Sequence, residues 1–281
     1  MRGITVEPTE IFSTIVHEFP YALYGSMLVG ALCAFLGVYI VAKRVVFLGA
    51  VLTQVSVLGL AITFLPFMTW VSHTAGSLAV TITSVIIIAR MLTGRNIPKD
   101  AVLGVIFVSS IAVRILIMQK TPKVEVSEIE NLLRGDILFV TPELFYLMLG
   151  VFVVAIGIHL AFYKEFTYVS FDPETAGTQG FRPARWELFF YVIAAVVISV
   201  ATHMVGDAFV FGFLVVPPVA AMLLTHRVNR ICVLSVIIGL FSPVAGIYLA
   251  FLFDFPSSPS VVAVAMVVLA VSWGLHLLRR T

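Results

Sequence analysis

Charge is scarce in this chain: 11% of its 281 residues are Asp, Glu, Lys or Arg. A soluble domain carries about 25% charged and roughly 45–50% apolar residues. Here 60% are hydrophobic and the mean hydropathy is +1.10. The chain therefore belongs in a lipid bilayer. Its formal net charge of +2, with no basic cluster interleaved with aromatics, excludes a nucleic-acid partner. Cysteine is almost missing, and Cys33 and Cys232 both fall in apolar runs, which excludes a disulfide framework or a metal-binding pair. There is no phosphate-binding lysine loop, no G-x-S-x-G, no H-E-x-x-H and no C-x-x-C. The chain is therefore expected to be non-catalytic and to draw energy from a partner or an ion gradient. The first twenty residues hold Arg2, Glu7 and Glu10 and no apolar core with a small-residue cleavage site, so no cleaved signal peptide is expected.

What is present is a series of long apolar runs, the expectation being an all-α, polytopic helix bundle with eight or nine membrane spans in a single domain, residues 1–281. Nine spans are read at 21–41, 48–68, 75–91, 101–118, 144–163, 187–204, 208–224, 231–253 and 261–278. Ahead of them, residues 9–19 alternate apolar and polar side chains and predict a short helix on the membrane surface. Twelve of the 17 Lys and Arg residues fall on one side of this arrangement and five on the other. Excess cations mark the cytoplasmic side, which places the N-terminus outside and the C-terminus inside.

The segment 205–225 carries adjacent prolines, Pro217 and Pro218, in its second half. A proline removes a helical hydrogen bond, and hydrocarbon tolerates the freed groups only beside other helices or a water-filled route. The transport pathway is therefore expected along this segment, with Pro217 and Pro218 lining it. Pro66 and Pro243 mark two further candidate kinks.

Two connections are too long to be simple turns. Residues 121–141 contain a helix-start signal at Ser127 and a stop near Gly135. Residues 165–186, on the predicted cytoplasmic side, contain Asp172-Pro173-Glu174. A capping carboxylate, a proline in the first turn and an acid at the positive end of the helix dipole predict a short helix ending at Gly177 or Gly180. A soluble partner could press on such an element.

Polar residues inside spans are few. His203 and Asp207 are four apart and would share a face, as metal ligands or a proton relay, only if the helix ran through Gly206. Otherwise Asp207 caps the next helix. Thr53, Gln54 and Ser56 either line the pathway or bond between helices. Arg114 is expected to snorkel to the outer interface. His17, His73, His159, His226 and His276 lie near span ends with no partner at ligand spacing.

Several stretches, in order along most of the chain, resemble the permease subunits of the ABC-3 family of bacterial importers for zinc, manganese and iron. They are LVGALCAFLGVYIVAKRVVFLGAVLTQ from Leu28 with Gly59 after it, Asp100-x-x-x-Gly104, LLRGDIL from Leu132, FDPETA from Phe171 with Gly180, VGDAFVFGFLVVPP from Val205, and Gly246, Asp254 and Pro256. The resemblance implies a bacterial cytoplasmic-membrane protein paired with a second permease copy, like or unlike. It also implies a cytoplasmic ATPase holding the ATP and magnesium, and an extracytoplasmic protein that delivers the metal. Phe171, Asp172, Glu174, Ala176 and Gly180 would form the segment that docks on the ATPase.

The family's usual metal ligands in the second span, an aspartate and a histidine four apart, correspond here to Ala50 and Gln54. Alanine offers no ligand, and a neutral amide is a poor one for a transition metal. A displaced site at His203 and Asp207, ligands on an unlike second subunit, or a chelated cargo would each account for the change. The resemblance favours an importer permease. A proton-driven carrier relaying through His203 and Asp207, and a non-transporting membrane subunit, are the alternatives.

Overall fold

The computed structural model describes residues 8–65, 72–92, 98–121, 126, 130 and 137–279. Among these there is no β-strand, and the helices run α1 (Pro8–Glu18), α2 (Pro20–Ala42), α3 (Phe47–Thr63), α4 (His73–Leu92) and α5 (Lys99–Met118). After a 3₁₀ turn, Ile137–Phe139, come α6 (Pro142–Ala161), α7 (Tyr163–Phe171), α8 (Pro173–Thr178) and α9 (Pro183–Val205). The chain closes with α10 (Asp207–Leu224), α11 (Val228–Phe253) and α12 (Ser257–Leu278). Each of the nine expected spans corresponds to one helix. Eight are long and apolar enough to cross a bilayer; α3, at 17 residues, is shorter than the run read from sequence. The expected kink at Pro66 and, apart from residue 130, the helix expected within 127–135 lie outside the described residues, as does most of LLRGDIL.

Burial ranks the helices. In α2 and α9, 72% of the apolar window is buried, against 56% in α10 and 17% in α6 and α12. The centre of the bundle is therefore α2 with α9, and α10 packs beside α2. The surface helix α1 anchors through Ile15, which is buried, while Phe19 just beyond it meets the Phe251 ring at 5.6 Å.

Backbone accounting explains why α2 is central. Helix α10 continues through Pro217 and Pro218, and α11 through Pro243. Each proline leaves the carbonyl four residues earlier without its helical donor, so Pro217 frees Phe213 O, Pro218 frees Leu214 O and Pro243 frees Gly239 O. The last two carbonyls lie against α2 at positions with no side chain. A Cβ on Gly37 would sit 2.2 Å from Leu214 O, and one on Gly30 would sit 2.3 Å from Gly239 O. Bare α-carbons let the neighbouring backbones approach this closely, and Cα–H···O contacts there give the carbonyls a weak partner. Ser235 adds a direct tie, its hydroxyl donating to Ala34 O at 2.8 Å.

Gly206 makes the other decisive turn. With φ +87° and ψ 165° it stops α9 and starts α10 in a conformation that a residue with a Cβ rarely adopts. Replacing Gly37 by Val should lower the thermal midpoint of the purified protein, since overpacking costs about 1–3 kcal/mol or more. Gly157→Ala, where no atom lies within 4 Å of the added Cβ, should leave it unchanged or raised.

Candidate functional site

Ionisable side chains inside a bilayer are held by partners, and here three helices supply one such set. Helix α5 turns Arg114 inward. Its side chain is 9% exposed, and Nη1 donates to Gln54 Oε1 of α3 at 2.8 Å. Gln54 in turn donates through Nε2 to Asp207 Oδ2 at the first residue of α10, at 2.7 Å. A neutral amide thus bridges a guanidinium and a carboxylate that make no direct ion pair. The expected snorkelling of Arg114 is not what the structure shows: with Gln54 and Asp207 within reach, the guanidinium satisfies itself inward, although its Nε is buried with no partner among the described residues.

The remaining candidates separate by location. Gly206 breaks the helix between His203 and Asp207, so the shared face that a joint site requires is missing. His203 holds Ser199 O through Nδ1 at 2.7 Å, and its Nε2 is buried without a partner among the described residues. Ala50 is buried, and Thr53, 2% exposed, donates its hydroxyl to Ala50 O within its own helix at 2.9 Å. Ser56 joins Ser77 of α4 at 2.9 Å and Ser199 of α9 at 3.0 Å, a knot between three helices. Pro217 and Pro218 are buried against neighbouring helices. Among the described residues no group of three or more His, Cys, Asp or Glu side chains could hold a metal ion.

The second locus lies at the opposite end of the bundle. Asp172 caps α8 by accepting from Thr175 N at 3.1 Å and from Thr175 Oγ1 at 2.6 Å. The hydroxyl first, and then the amide, hold its carboxyl below the ordinary value of 3.8. The helix closes at Thr178, with Gly180 at φ +85° and Phe181 N returning to Ala176 O at 3.1 Å. Ala176 is fully buried, while Phe171, Asp172 and Glu174 are exposed.

Sequence reading did not anticipate α7, which roots this cap in the bundle. Its Phe166 stacks on the ring of His159 of α6 at 4.5 Å and lies edge-on to Trp186 of α9 at 5.7 Å. His159 is not an interfacial imidazole. It is 1% exposed, enclosed by Phe35, Tyr39, Phe166 and Phe190, and neither ring nitrogen has a partner among the described residues. The F-x-x-x-F spacing of Phe162 and Phe166 was the available signal for α7. At the same end, Lys43 donates to Val169 O at 3.3 Å and pairs with Glu187 at 3.5 Å, tying α2, α7 and α9 together.

Comparisons with known proteins converge on one family. The model of the ABC 3 transport family matches residues 17–275. A probable iron transport system membrane protein of Haemophilus influenzae is 27% identical over 236 residues, 83% of this chain and 81% of that protein. A manganese transport system membrane protein of Halalkalibacterium halodurans is 24% identical over 252 residues, 90% and 85% of the respective chains. The solved structure of PsaBC from Streptococcus pneumoniae in complex with Fab has a chain that matches with a TM-score of 0.83 at 20% identity, covering 95% of both chains.

The bridge can be tested by itself. Gln54→Leu should destabilise the protein by about 1–3 kcal/mol, because it leaves buried polar groups unpaired. The same change should cost less in an Arg114→Gln, Asp207→Asn background, as a double-mutant comparison of thermal midpoints would show.

Proposed function

Because the chain belongs to the ABC 3 transport family, we propose that it is the membrane-spanning permease subunit of an ATP-binding-cassette importer for a transition metal or its chelate. It holds no nucleotide itself. ATP and magnesium belong to a cytoplasmic ATPase, a second permease copy completes the route, and an extracytoplasmic protein delivers cargo. The protein sits in the bacterial cytoplasmic membrane with its N-terminus outside and C-terminus inside.

The observation that carries this reading is the α7–α8 pair. A short helix with an exposed acidic first turn stands at the cation-rich end of the bundle, and its supporting helix is packed by aromatic rings onto α6 and α9. Pressure on α8 from a soluble motor passes through Phe166 to the buried centre rather than being lost in a flexible loop. Alternating access follows if that movement shifts α9, and with it the Gly206 turn that positions α10. The pathway residues are then Gln54 and Asp207, with Thr53, His203, Pro217 and Pro218 supporting the helices behind them. Phe171, Asp172, Glu174, Ala176 and Gly180 shape the docking element.

Glu174→Lys should sharply reduce co-purification of the ATPase while membrane insertion stays normal; undiminished co-purification would contradict the docking role. Asp172→Ala should weaken docking, and Asp172→Asn should retain it, since asparagine caps equally well. The sign with pH follows from the lowered value of Asp172. Its contribution is complete above the ordinary carboxylate value and is lost as pH falls through the lowered one. Docking measured by pull-down should therefore be insensitive to this group across the neutral range.

A further inference from the structure

The Arg114–Gln54–Asp207 chain does more than hold three helices together. A purely structural ion pair inside a membrane is best made directly, because separating the charges forfeits attraction while each still loses its hydration. Here an amide stands between the two charges, and the guanidinium Nε is buried with no acceptor among the described residues. A buried donor without a partner calls for an explanation, and a guanidinium is the side chain suited to a two-point grip on a carboxylate or phosphate.

Position supports a ligand role. Arg114 is four residues from the end of α5, about 6 Å along the axis. Asp207 opens α10 and Gln54 lies midway along α3. The set therefore lies just below the end of the bundle opposite α8, where delivered cargo would enter. Both Gln54 and Asp207 are partly accessible. The same register that resembles a metal-ligand motif offers only Ala50 and Gln54, and a permanently charged cation stands beside it, which disfavours a naked divalent ion.

We propose that Arg114 is the cargo-recognition residue of this permease and that it binds an oxyanion of a metal chelate, a carboxylate or phosphate group, rather than the metal. Asp207, held through Gln54, is the internal counter-charge, and the cargo displaces the Gln54 Oε1 that Arg114 Nη1 now holds. Gln54 then turns from bridging Asp207 to bonding the bound oxyanion. The proposal rests on the permease reading above and narrows its cargo to chelates with exposed oxyanions.

The test uses the permease with its ATPase in proteoliposomes, loaded with the delivering protein, and compares ATP-driven uptake of ferric citrate with that of uncomplexed manganese. Ferric citrate should be taken up, with metal-free citrate competing. Arg114→Gln should raise its KM about tenfold or more, the loss of one charge-assisted contact, and Arg114→Lys should recover part of that loss. Asp207→Asn should act in the opposite direction and lower the KM, because the internal competitor is removed. A purely structural pair predicts instead that both variants impair uptake alike, and that result overturns the proposal. So does uptake of manganese but not ferric citrate, which leaves the permease reading intact. Absence of ATP-driven uptake of either form, with a folded and assembled complex, overturns both. Static binding of ferric citrate to Arg114→Gln and wild type in detergent, read by intrinsic fluorescence, separates a folding defect from lost recognition: equal affinity would also overturn the proposal.

Discussion

Two carbonyls without helical donors, Leu214 O and Gly239 O, set the terms for this bundle. In water such groups would be hydrated; in hydrocarbon they must meet protein. Glycine at 37 and 30 in α2 lets the proline-containing helices come close enough to place them. From that constraint follow the central position of α2 and the packing of α10 and α11 around it. Weak contacts of this kind are worth little singly, but excluding a side chain at either glycine fixes which helices can be neighbours.

The bundle then separates two kinds of polar chemistry at its two ends. At one end the partly accessible Gln54 and Asp207 join the buried Arg114, whose Nε is an unused donor among the described residues. At the other, Asp172 and Thr175 form a closed cap that is complete in itself, and Lys43 and Glu187 lock the helices behind it. The aromatic nest around His159 joins the cap to the core. Phe166 stacks on His159 while Phe35, Tyr39 and Phe190 meet it edge-on, and rings in such contact transmit displacement with little slack because interiors are close-packed. A histidine with both nitrogens unpartnered makes that nest costly to keep dry, and it identifies the joint most sensitive to a polar substitution.

Much of this was legible in the sequence because membrane burial writes simple signals. The runs of apolar residues located the nine helices that match the expected spans, and Asp172-Pro173-Glu174 located α8 to within a residue of its observed start. The choice between a shared His203–Asp207 face and a new helix stayed open in the sequence; the structure breaks the run at Gly206, and Gly206 rather than Asp207 stands at the N-cap of α10. Three features were not legible. Arg114 near a span end reads as a snorkelling residue unless its partners across two other helices are known. His159 reads as interfacial because α7, which covers it, has a mixed pattern of aromatic and polar residues. The pairing of Pro218 with Gly37 and of Pro243 with Gly30 is a tertiary match between distant segments, and neither residue announces the other.

The central claim is that these helices convert work done by a separate ATPase into movement of metal-bearing cargo. The direct measurement is uptake by proteoliposomes containing this chain with and without its ATPase, under imposed ATP or an imposed proton gradient. Uptake that requires both the ATPase and ATP, and ignores the proton gradient, is the predicted result. Uptake by the chain alone, driven by protons, would contradict it.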